Sequence, residues 1–228
     1  MQLFKTAHIS EKSHSRKPKR ILLFIFLLLF LTGALYVTIG YIDGQRIEIS
    51  HYAIEAPSES PVRILQISDL HCAEFGNNNS NLISKISSLN PDIIFITGDM
   101  LNADNSDIHV ALQLVKTLVT IAPVYYSYGN HETAWESSFN TNLRAELELL
   151  GAVVLDKNYV DIDLKGLPVR IGGYMGYYRS WGMLTTDSDQ ITQSIAFADA
   201  FENTQRYRIL LNHIPTAWVD WNHGDDYD

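Results

Sequence analysis

The most uniform hydrophobic stretch of the chain runs from Ile21 to Ile42 and contains no charged residue. At about 1.5 Å per residue, a helix of this length spans roughly 30 Å, the thickness of the hydrocarbon core of a bilayer. A cleaved signal peptide is the alternative, but its apolar part usually covers about 7 to 15 residues and ends before a small-residue cleavage site. Here Thr32-Gly33-Ala34 lies inside the run, so the pattern favours an uncleaved transmembrane helix over residues 21–42.

Beyond this helix, short apolar runs alternate with segments of helical periodicity. Residues 43–60 are interpreted as a linker with an edge strand at 46–52, and residues 61–228 as one globular domain. The apolar runs of the domain predict strands at 64–67, 92–99, 122–128, 153–155, 159–164, 169–171 and 207–211. Apolar positions three and four apart predict helices at 81–89, 107–121, 133–150 and 189–201. This alternation is typical of an α/β fold with a parallel sheet.

A glycine- and aromatic-rich segment covers residues 172–182. It suits a flexible loop that carries flat side chains over a cleft, and it suits a packed irregular loop equally well. Its aromatic part, 174–181, offers a stacking surface for a nucleobase and a packing surface for a lipid. The sequence does not distinguish between these roles.

Charge is distributed unevenly along the chain. Residues 1–20 hold six basic side chains and one acidic side chain of the chain's 17 and 26, which leaves 11 and 25, a net charge of −14, for residues 21–228. Such an acidic domain argues against the wrapping of nucleic acid, which needs a basic face. By the positive-inside rule, the basic tail 1–20 places the N-terminus in the cytoplasm and the domain outside the cell membrane.

Four of the predicted strands lead into side chains that bind metal ions. The first is followed by Asp-x-His, the second ends on Gly-Asp, the third is followed by Asn-His, and the last precedes a histidine. These candidate site residues are Asp69, His71, Asp99, Asn130, His131 and His213. Because ligands of parallel α/β sheets bind at the carboxyl ends of the strands, we expect the six side chains to converge there.

Carboxylate, imidazole and amide groups together can hold two divalent ions that share one carboxylate. Asp99 stands in the middle of the series and is the candidate bridge. Asp69 and His71 would bind one ion, and Asn130 and His213 the other. Two such ions, about 3.5 to 4 Å apart, activate a water and stabilise phosphate oxygens during in-line attack.

His131 is the candidate catalytic residue. Adjacent residues of an extended segment point in different directions, so His131 can face the substrate while Asn130 faces a metal. It would donate a proton to the leaving oxygen, with Glu132 or another nearby carboxylate orienting the ring. The single cysteine, Cys72, lies beside His71 and is interpreted as a bystander, since an oxygen-rich site has little use for a thiolate.

Taken together, these motifs resemble those of the calcineurin-like metallophosphoesterase superfamily from residue 61 to the end of the chain. The matching motifs are Asp69-x-His71, Gly98-Asp99, Gly129-Asn130-His131-Glu132 and the later His213. With its apolar N-terminal helix, the chain most resembles the bacterial membrane-anchored phosphodiesterase-type members. The resemblance implies a two-layer β sandwich flanked by helices and a dinuclear centre of Mn, Fe, Zn or a similar metal. It also implies Asp99 as the bridging ligand and His131 as the proton donor.

The sequence departs from the family pattern at two places. The second acid that often follows the Gly-Asp aspartate is Asn102 here, at a position that is not usually a ligand. The closing Gly-His-x-His motif, which supplies one histidine to each metal, does not occur before Asp228, and His223 lies in a turn-like stretch ahead of the expected strand. The 228 residues are therefore interpreted as a C-terminally incomplete domain in which each metal lacks a ligand.

Two functional hypotheses follow. The first is a membrane-anchored, metal-dependent hydrolase of phosphodiester or phosphomonoester bonds, with lipid head groups, cell-wall phosphodiesters or nucleotides as candidate substrates. The second is a truncated, catalytically inactive ectodomain with a binding role or none. The absent Gly-His-x-His motif favours the second hypothesis for this chain, and the strand-end ligands favour the first for the gene it came from.

Overall fold

The chain divides into two units, Met1–Glu48 and Ile49–Asp228. A computed structural model describes residues 17–58, 60–175 and 188–214. In the first unit, helix α1 (Lys17–Gly44) contains the predicted apolar segment and extends it at both ends. Its stretch Lys19–Gly44 is long and apolar enough to cross a membrane. A signal sequence near an N-terminus can meet the same criterion of length and apolar composition.

Two hydroxyl groups inside α1 bond to the helix itself. Thr32 Oγ1 donates to the carbonyl oxygen of Leu29 at 3.0 Å, and Thr38 Oγ1 donates to that of Ala34 at 2.8 Å. Because lipid offers no hydrogen-bond partner, hydroxyls in a membrane must be satisfied within the protein. Both threonines meet this requirement without a second helix.

The first sheet of the second unit is parallel, with the strand order β1-β2-β3-β4. Its strands are β1 (Ile64–Ile67), β2 (Ile93–Ile96), β3 (Val124–Ser127) and β4 (Val153–Leu155). Every residue of β2 and β3 is buried, as expected of central strands covered on both faces. The register pairs Ile67 with Ile96 and Ile96 with Tyr126, so the carboxyl ends of three strands meet at one edge.

Helices connect these parallel strands. A 3₁₀ helix (Asn77–Asn79) and α2 (Ser80–Leu89) follow β1, α3 (His109–Leu118) follows β2, and α4 (Asn130–Phe139) and α5 (Leu143–Leu149) follow β3. The buried residues of α3 are Ala111, Leu114, Val115 and Leu118, the spacing of one helix face. The helix predicted at 107–121 is present and covers His109–Leu118.

The second sheet has the strand order β5-β6-β7. Its strands are β5 (Asn158–Leu164), β6 (Leu167–Tyr174) and β7 (Tyr207–Asn212), and α6 (Ser188–Glu202) lies between the last two in the chain. Strands β5 and β6 are antiparallel, whereas β6 and β7 are parallel.

The two sheets share one hydrophobic core. The first sheet contributes Ile93, Phe95, Tyr125 and Leu155, and the second contributes Leu164, Leu167, Val169, Ile171 and Leu211. Helix α6 packs Phe197 and Phe201 against Tyr174. A Cβ on Gly172 would lie 2.7 Å from the ring of Phe201, so this glycine lets the helix approach the strand. The predicted α/β sandwich flanked by helices is confirmed.

Two predicted elements near the edges of the domain are corrected by the structure. Residues 46–52 form no strand, and Tyr52 is 89% exposed, because their alternating pattern meets no neighbouring strand within the described part of the chain. Residues 172–174 belong to β6 rather than to a loop. The remainder of the predicted aromatic loop, from residue 176, lies outside the described residues.

The helix predicted at 133–150 is in fact two helices, α4 and α5. Asn140 ends α4 in a left-handed conformation with φ 50°. Asn142 then begins α5, since its side-chain oxygen accepts the N–H of Ala145 at 3.0 Å. Asparagine is well suited to both positions, and two of them within three residues override the apolar periodicity.

Candidate metal centre

The segments that follow β1 and β2 are joined by a backbone ladder that continues beyond the sheet. The N–H groups of Asp69, His71 and Cys72 donate to the carbonyl oxygens of Gly98, Asp99 and Met100 at 3.0, 2.9 and 2.9 Å, respectively. Besides Gly98, four of these residues have a positive φ: Asp69 57°, His71 47°, Cys72 58° and Asp99 53°. Non-glycine residues adopt this conformation uncommonly, although aspartate and histidine tolerate it better than most. The ladder helps to hold both strand ends in this shape.

Two glycines allow the end of β2 to approach the start of α4. A Cβ on Gly98 would lie 2.2 Å from the backbone nitrogen of Gly129, and a Cβ on Gly129 would lie 2.1 Å from Asp99 Oδ1. Because neither glycine has a Cβ, the N–H of His131 can reach Asp99 Oδ1 at 2.9 Å. The glycines of the two motifs thus bring Asp99 against the first turn of α4.

Glu132 holds the same junction from the interior. It is fully buried, and its Oε2 accepts the N–H groups of Asp99 and Gly129 at 2.8 and 2.9 Å. Its Oε1 accepts the N–H of Met100 at 2.8 Å and the hydroxyl of Tyr126 at 2.7 Å. Burial, together with the nearby charge of Glu132, raises the pKa of Tyr126 well above its ordinary value, so the hydroxyl remains a donor. Four donors compensate the buried carboxylate.

The carboxylate of Asp99 is the centre of the site. Asp99 is 4% exposed, and its Oδ2 lies 3.3 Å from Nε2 of His213, 3.8 Å from Nε2 of His71 and 3.9 Å from Nε2 of His131. Burial opposes ionisation of Asp99, but hydrogen bonds from His213 and from the backbone of His131 outweigh it and hold the pKa of Asp99 below its usual value. Three imidazoles therefore surround an ionised carboxylate.

His213 reaches the site from the second sheet, directly after β7. Its Nδ1 lies 2.9 Å from the carbonyl oxygen of Thr97, and its Nε2 lies 3.2 Å from Oδ1 of Asn130. Because a carbonyl only accepts, Nδ1 carries a proton, and Nε2 is the nitrogen directed towards Asp99. The hydrogen bond to Asp99 raises the pKa of His213 to about 9 in the metal-free protein.

The imidazole of His131 has the opposite arrangement. The N–H of Ala103 donates to His131 Nδ1 at 3.0 Å, so the proton of the neutral ring is on Nε2, the nitrogen nearer to Asp99. The ring of His71 meets that of His131 edge-on, with the two centroids 4.5 Å apart. The two rings thus lie on the same side of the buried carboxylate.

Two details of the His131 prediction are corrected. Asn130 and His131 are the first residues of α4 and not part of an extended segment, so the helical turn separates their side chains. Glu132 directs its oxygens to the backbone of the strand ends and to Tyr126 instead of to the imidazole. The ring accepts the N–H of Ala103 on Nδ1, and a backbone donor leaves no signal in the residue types. The nearby carboxylate, the other predicted alternative, is that of Asp99, whose Oδ2 lies 3.9 Å from Nε2.

Two groups of side chains each bring three ligand atoms within 4.8 Å of one another. One consists of His71, Asp99 and His131, and the other of Asp69, Asp99 and His213. Asp99 belongs to both, and the amide oxygen of Asn130 lies against His213. The groups differ from the predicted pairing of Asp69 with His71, and the assignment of ligands to individual ions stays a prediction.

This donor set fits divalent ions. Carboxylate, imidazole and amide oxygen suit borderline metals such as Mn, Fe or Zn, and the acidity of Asp99 supplies a charged ligand. Cys72 belongs to neither group, and burial raises the pKa of its thiol, which disfavours the thiolate that a metal needs. His223 lies outside the described residues.

Comparison with known proteins finds a phosphoesterase family model and two relatives named as metallophosphoesterases. A family model for calcineurin-like phosphoesterases matches residues 62–227. The uncharacterized metallophosphoesterase YkoQ of Bacillus subtilis is 27% identical over 166 residues, which are 72% of this chain and 57% of that protein. The uncharacterized metallophosphoesterase Cj0846 of Campylobacter jejuni is 23% identical over 186 residues, 78% of this chain and 45% of that protein. The chain spans about half the length of these relatives.

Among solved structures, the phosphopantetheinyl hydrolase of Mycobacterium tuberculosis aligns with a TM-score of 0.46 and 16% identity over 72% of each chain. This structural similarity is too weak to indicate a function. The family model, by contrast, covers the whole span from β1 past His213, including every motif at the strand ends. The protein therefore belongs to the calcineurin-like phosphoesterase family.

Proposed function

We propose that this protein is a membrane-anchored, metal-dependent phosphoesterase that hydrolyses phosphodiester or phosphomonoester bonds. The observation that carries the proposal is the shared carboxylate, since Asp99 takes part in both groups of potential metal ligands. A carboxylate common to two ligand groups suits a dinuclear centre. Membership of the calcineurin-like phosphoesterase family supports the same class of reaction.

The proposed ligands are Asp69, His71, Asp99, Asn130 and His213. Two divalent ions bound by them would polarise the phosphate oxygens and make a water more acidic. Thr97 contributes by fixing the Nδ1 proton of His213, which directs the other ring nitrogen to the site. The buried Glu132 contributes by holding the backbone of Asp99.

His131 is proposed as the proton donor to the leaving oxygen. Because the N–H of Ala103 occupies the lone pair of Nδ1, the neutral ring presents its Nε2–H on the side where Asp99 lies, where it can donate a hydrogen bond to the leaving oxygen. An alkoxide leaving group needs such a proton as the ester bond breaks. This arrangement supports a donor role for His131 and a ligand role for His213, whose proton is on the other nitrogen.

We place the domain on the outer face of the cell membrane, with the N-terminus in the cytoplasm. The length of α1 and the six basic residues before its apolar part support this orientation. A domain tethered to the bilayer would meet phosphodiesters of lipid head groups and of the cell wall, and nucleotides are the third candidate class of substrate. The net acidic domain makes nucleic-acid polymers poor substrates.

The test uses the full chain in detergent with Mn²⁺ and two chromogenic substrates, a phosphodiester and a phosphomonoester. Wild-type protein should hydrolyse at least one of them, and His131→Ala should lose about 100- to 10,000-fold of the turnover while keeping its metal. His109→Ala is the matched control, since His109 is exposed at the start of α3.

Each outcome has a distinct meaning. Unchanged turnover in His131→Ala would overturn the donor role. A loss of bound metal in that variant would make the ring a ligand, in line with its place beside His71 and Asp99. Metal-loaded wild-type protein that cleaves neither substrate would overturn the enzyme proposal and favour the alternative, a non-catalytic binding domain.

A further inference from the structure

The segment 102–105, between β2 and α3, bonds to two separate parts of the candidate metal centre. Asn102 Nδ2 donates to the carbonyl oxygen of His71 at 3.0 Å, Ala103 N donates to His131 Nδ1 at 3.0 Å, and Trp135 Nε1 donates to the carbonyl oxygen of Asn105 at 2.9 Å. The first bond reaches the segment after β1, and the other two reach α4. Segment 102–105 therefore joins the elements that carry the two neighbouring imidazoles.

The bond made by Asn102 requires a side-chain donor. The carbonyl oxygen of His71 only accepts hydrogen bonds, so the group that faces it must be the amide nitrogen of Asn102. An aspartate has nearly the same shape but offers only oxygen atoms when ionised. A carboxylate in its place would put a negative charge against the partially negative carbonyl oxygen of His71.

His71 depends on such outside support because its backbone is left-handed, with φ 47°. Its N–H donates to the carbonyl oxygen of Asp99 at 2.9 Å, and its own carbonyl accepts from Asn102. The two bonds fix the peptide groups on both sides of the residue. They also fix the direction of the imidazole, whose Nε2 lies 3.8 Å from Asp99 Oδ2.

We propose that Asn102 is a positioning residue of the metal centre, which holds His71 in the conformation that directs its imidazole to Asp99. The inference rests on the proposed function, which supplies the metal. It adds that Asn102 fixes the orientation of one proposed ligand, His71. Groups behind a ligand typically change metal affinity by about 10- to 100-fold when they are replaced. In this chain, the amide of Asn102 supplies the donor group that the carbonyl oxygen of His71 accepts.

The experiment measures Mn²⁺ affinity by calorimetry for the full chain and three variants. Asn102→Asp removes the donor and adds a charge, and Asn102→Ala removes the donor alone. Asn105→Asp is the matched control: Asn105 is exposed, and its Oδ1 accepts the N–H of Asp107 at 2.9 Å, which a carboxylate does as well. It adds the same charge to the same segment without loss of a bond.

Both Asn102 variants should bind Mn²⁺ about tenfold or more weakly than wild type, while Asn105→Asp stays within about twofold. In the metal-free state, the amide proton of His71 should exchange faster with solvent in both Asn102 variants, at nearly unchanged melting temperature. Wild-type affinity in both would overturn the proposal, as would an equal loss in Asn105→Asp or a lowered melting temperature without a loss of affinity.

The behaviour of the wild-type protein distinguishes a failure of the proposed function from a failure of the role of Asn102. Wild-type protein that binds Mn²⁺ and hydrolyses no phosphoester would refute the enzyme and leave the comparison of the Asn102 variants valid. Wild-type protein that binds no Mn²⁺ would overturn the metal centre and the role of Asn102 with it.

Discussion

Nε2 of His213 lies 3.3 Å from Oδ2 of Asp99, which joins a histidine of the second sheet to a buried carboxylate of the first. In the metal-free protein this hydrogen bond raises the pKa of His213 from 6.5 to about 9. A raised pKa means that the folded state holds the proton more tightly than the unfolded chain does. The interaction therefore stabilises the fold fully below pH 6.5 and is lost as the pH rises through about 9.

We accordingly expect the metal-free protein to lose free energy of unfolding between pH 6.5 and about 9 through this pair. Urea denaturation in the presence of a chelator measures the effect, and the difference between wild type and His213→Asn should shrink over this range. The affinity for Mn²⁺ should rise over the same range, because the ion takes the place of the proton on Nε2. A difference that does not change with pH would contradict the assignment.

The shared carboxylate predicts unequal losses of metal. Asp99→Asn should bind neither ion tightly, whereas Asp69→Asn should lose one ion and keep the other, because Asp69 belongs to one ligand group only. Elemental analysis of the metal content per chain after dialysis measures both. Equal losses in the two variants would show that Asp99 is not a bridge.

The buried Glu132 predicts a large effect on stability. Glu132→Gln replaces one of two acceptor oxygens with an NH₂ group that faces backbone donors, so the free energy of unfolding should fall by about 2 kcal/mol or more. Urea denaturation without metal measures this fall. Glu148→Gln is the control, since it breaks only an exposed ion pair with Arg144, 3.4 Å long, which is worth less than about 1 kcal/mol. Similar values for the two variants would contradict the structural role of Glu132.

The close approach at Gly129 predicts a steric effect that is separable from backbone strain. Gly129 has an extended backbone that alanine tolerates, but the new Cβ would lie 2.1 Å from Asp99 Oδ1. Gly129→Ala should therefore displace the carboxylate and weaken Mn²⁺ binding. Gly166→Ala, at φ +85° in open space, should cost about 1 kcal/mol of stability and leave metal binding intact. Calorimetric titration with Mn²⁺ distinguishes the two.

Sequence patterns predicted the central strands well because their environment is uniform. Strand β2 is buried at every position, and its unbroken apolar run, Ile93 to Ile96, is the pattern of a strand covered on both faces. The strand-end motifs predicted which polar residues would gather, since parallel strands deliver their carboxyl ends to one edge. Asp69, His71, Asp99, Asn130, His131 and His213 do lie together around that edge, although their individual roles stay predictions.

The interactions that orient those side chains were not predictable. The partners of His131 and His213 are the N–H of Ala103 and the carbonyl oxygen of Thr97, and nearly every residue type carries such groups. The left-handed backbone of His71 depends on contacts with distant residues rather than on its own preference. In the sequence, Asn102 was notable only because the family often has an acid at its position. The structure shows that its amide donates a hydrogen bond to the carbonyl oxygen of His71.

A metal ion at the site would connect His213 to segments that are far from it along the unfolded chain. His213 lies 116 residues beyond Thr97 and further still from Asp69, yet all three meet at the site. An ion bound to Asp69 and His213 would act as a reversible cross-link between the two layers of the sandwich. A covalent link that closes a loop of about 100 residues removes chain entropy worth roughly 4 to 5 kcal/mol, and coordination captures part of that. The supply of metal would then govern how long the folded protein survives proteolysis.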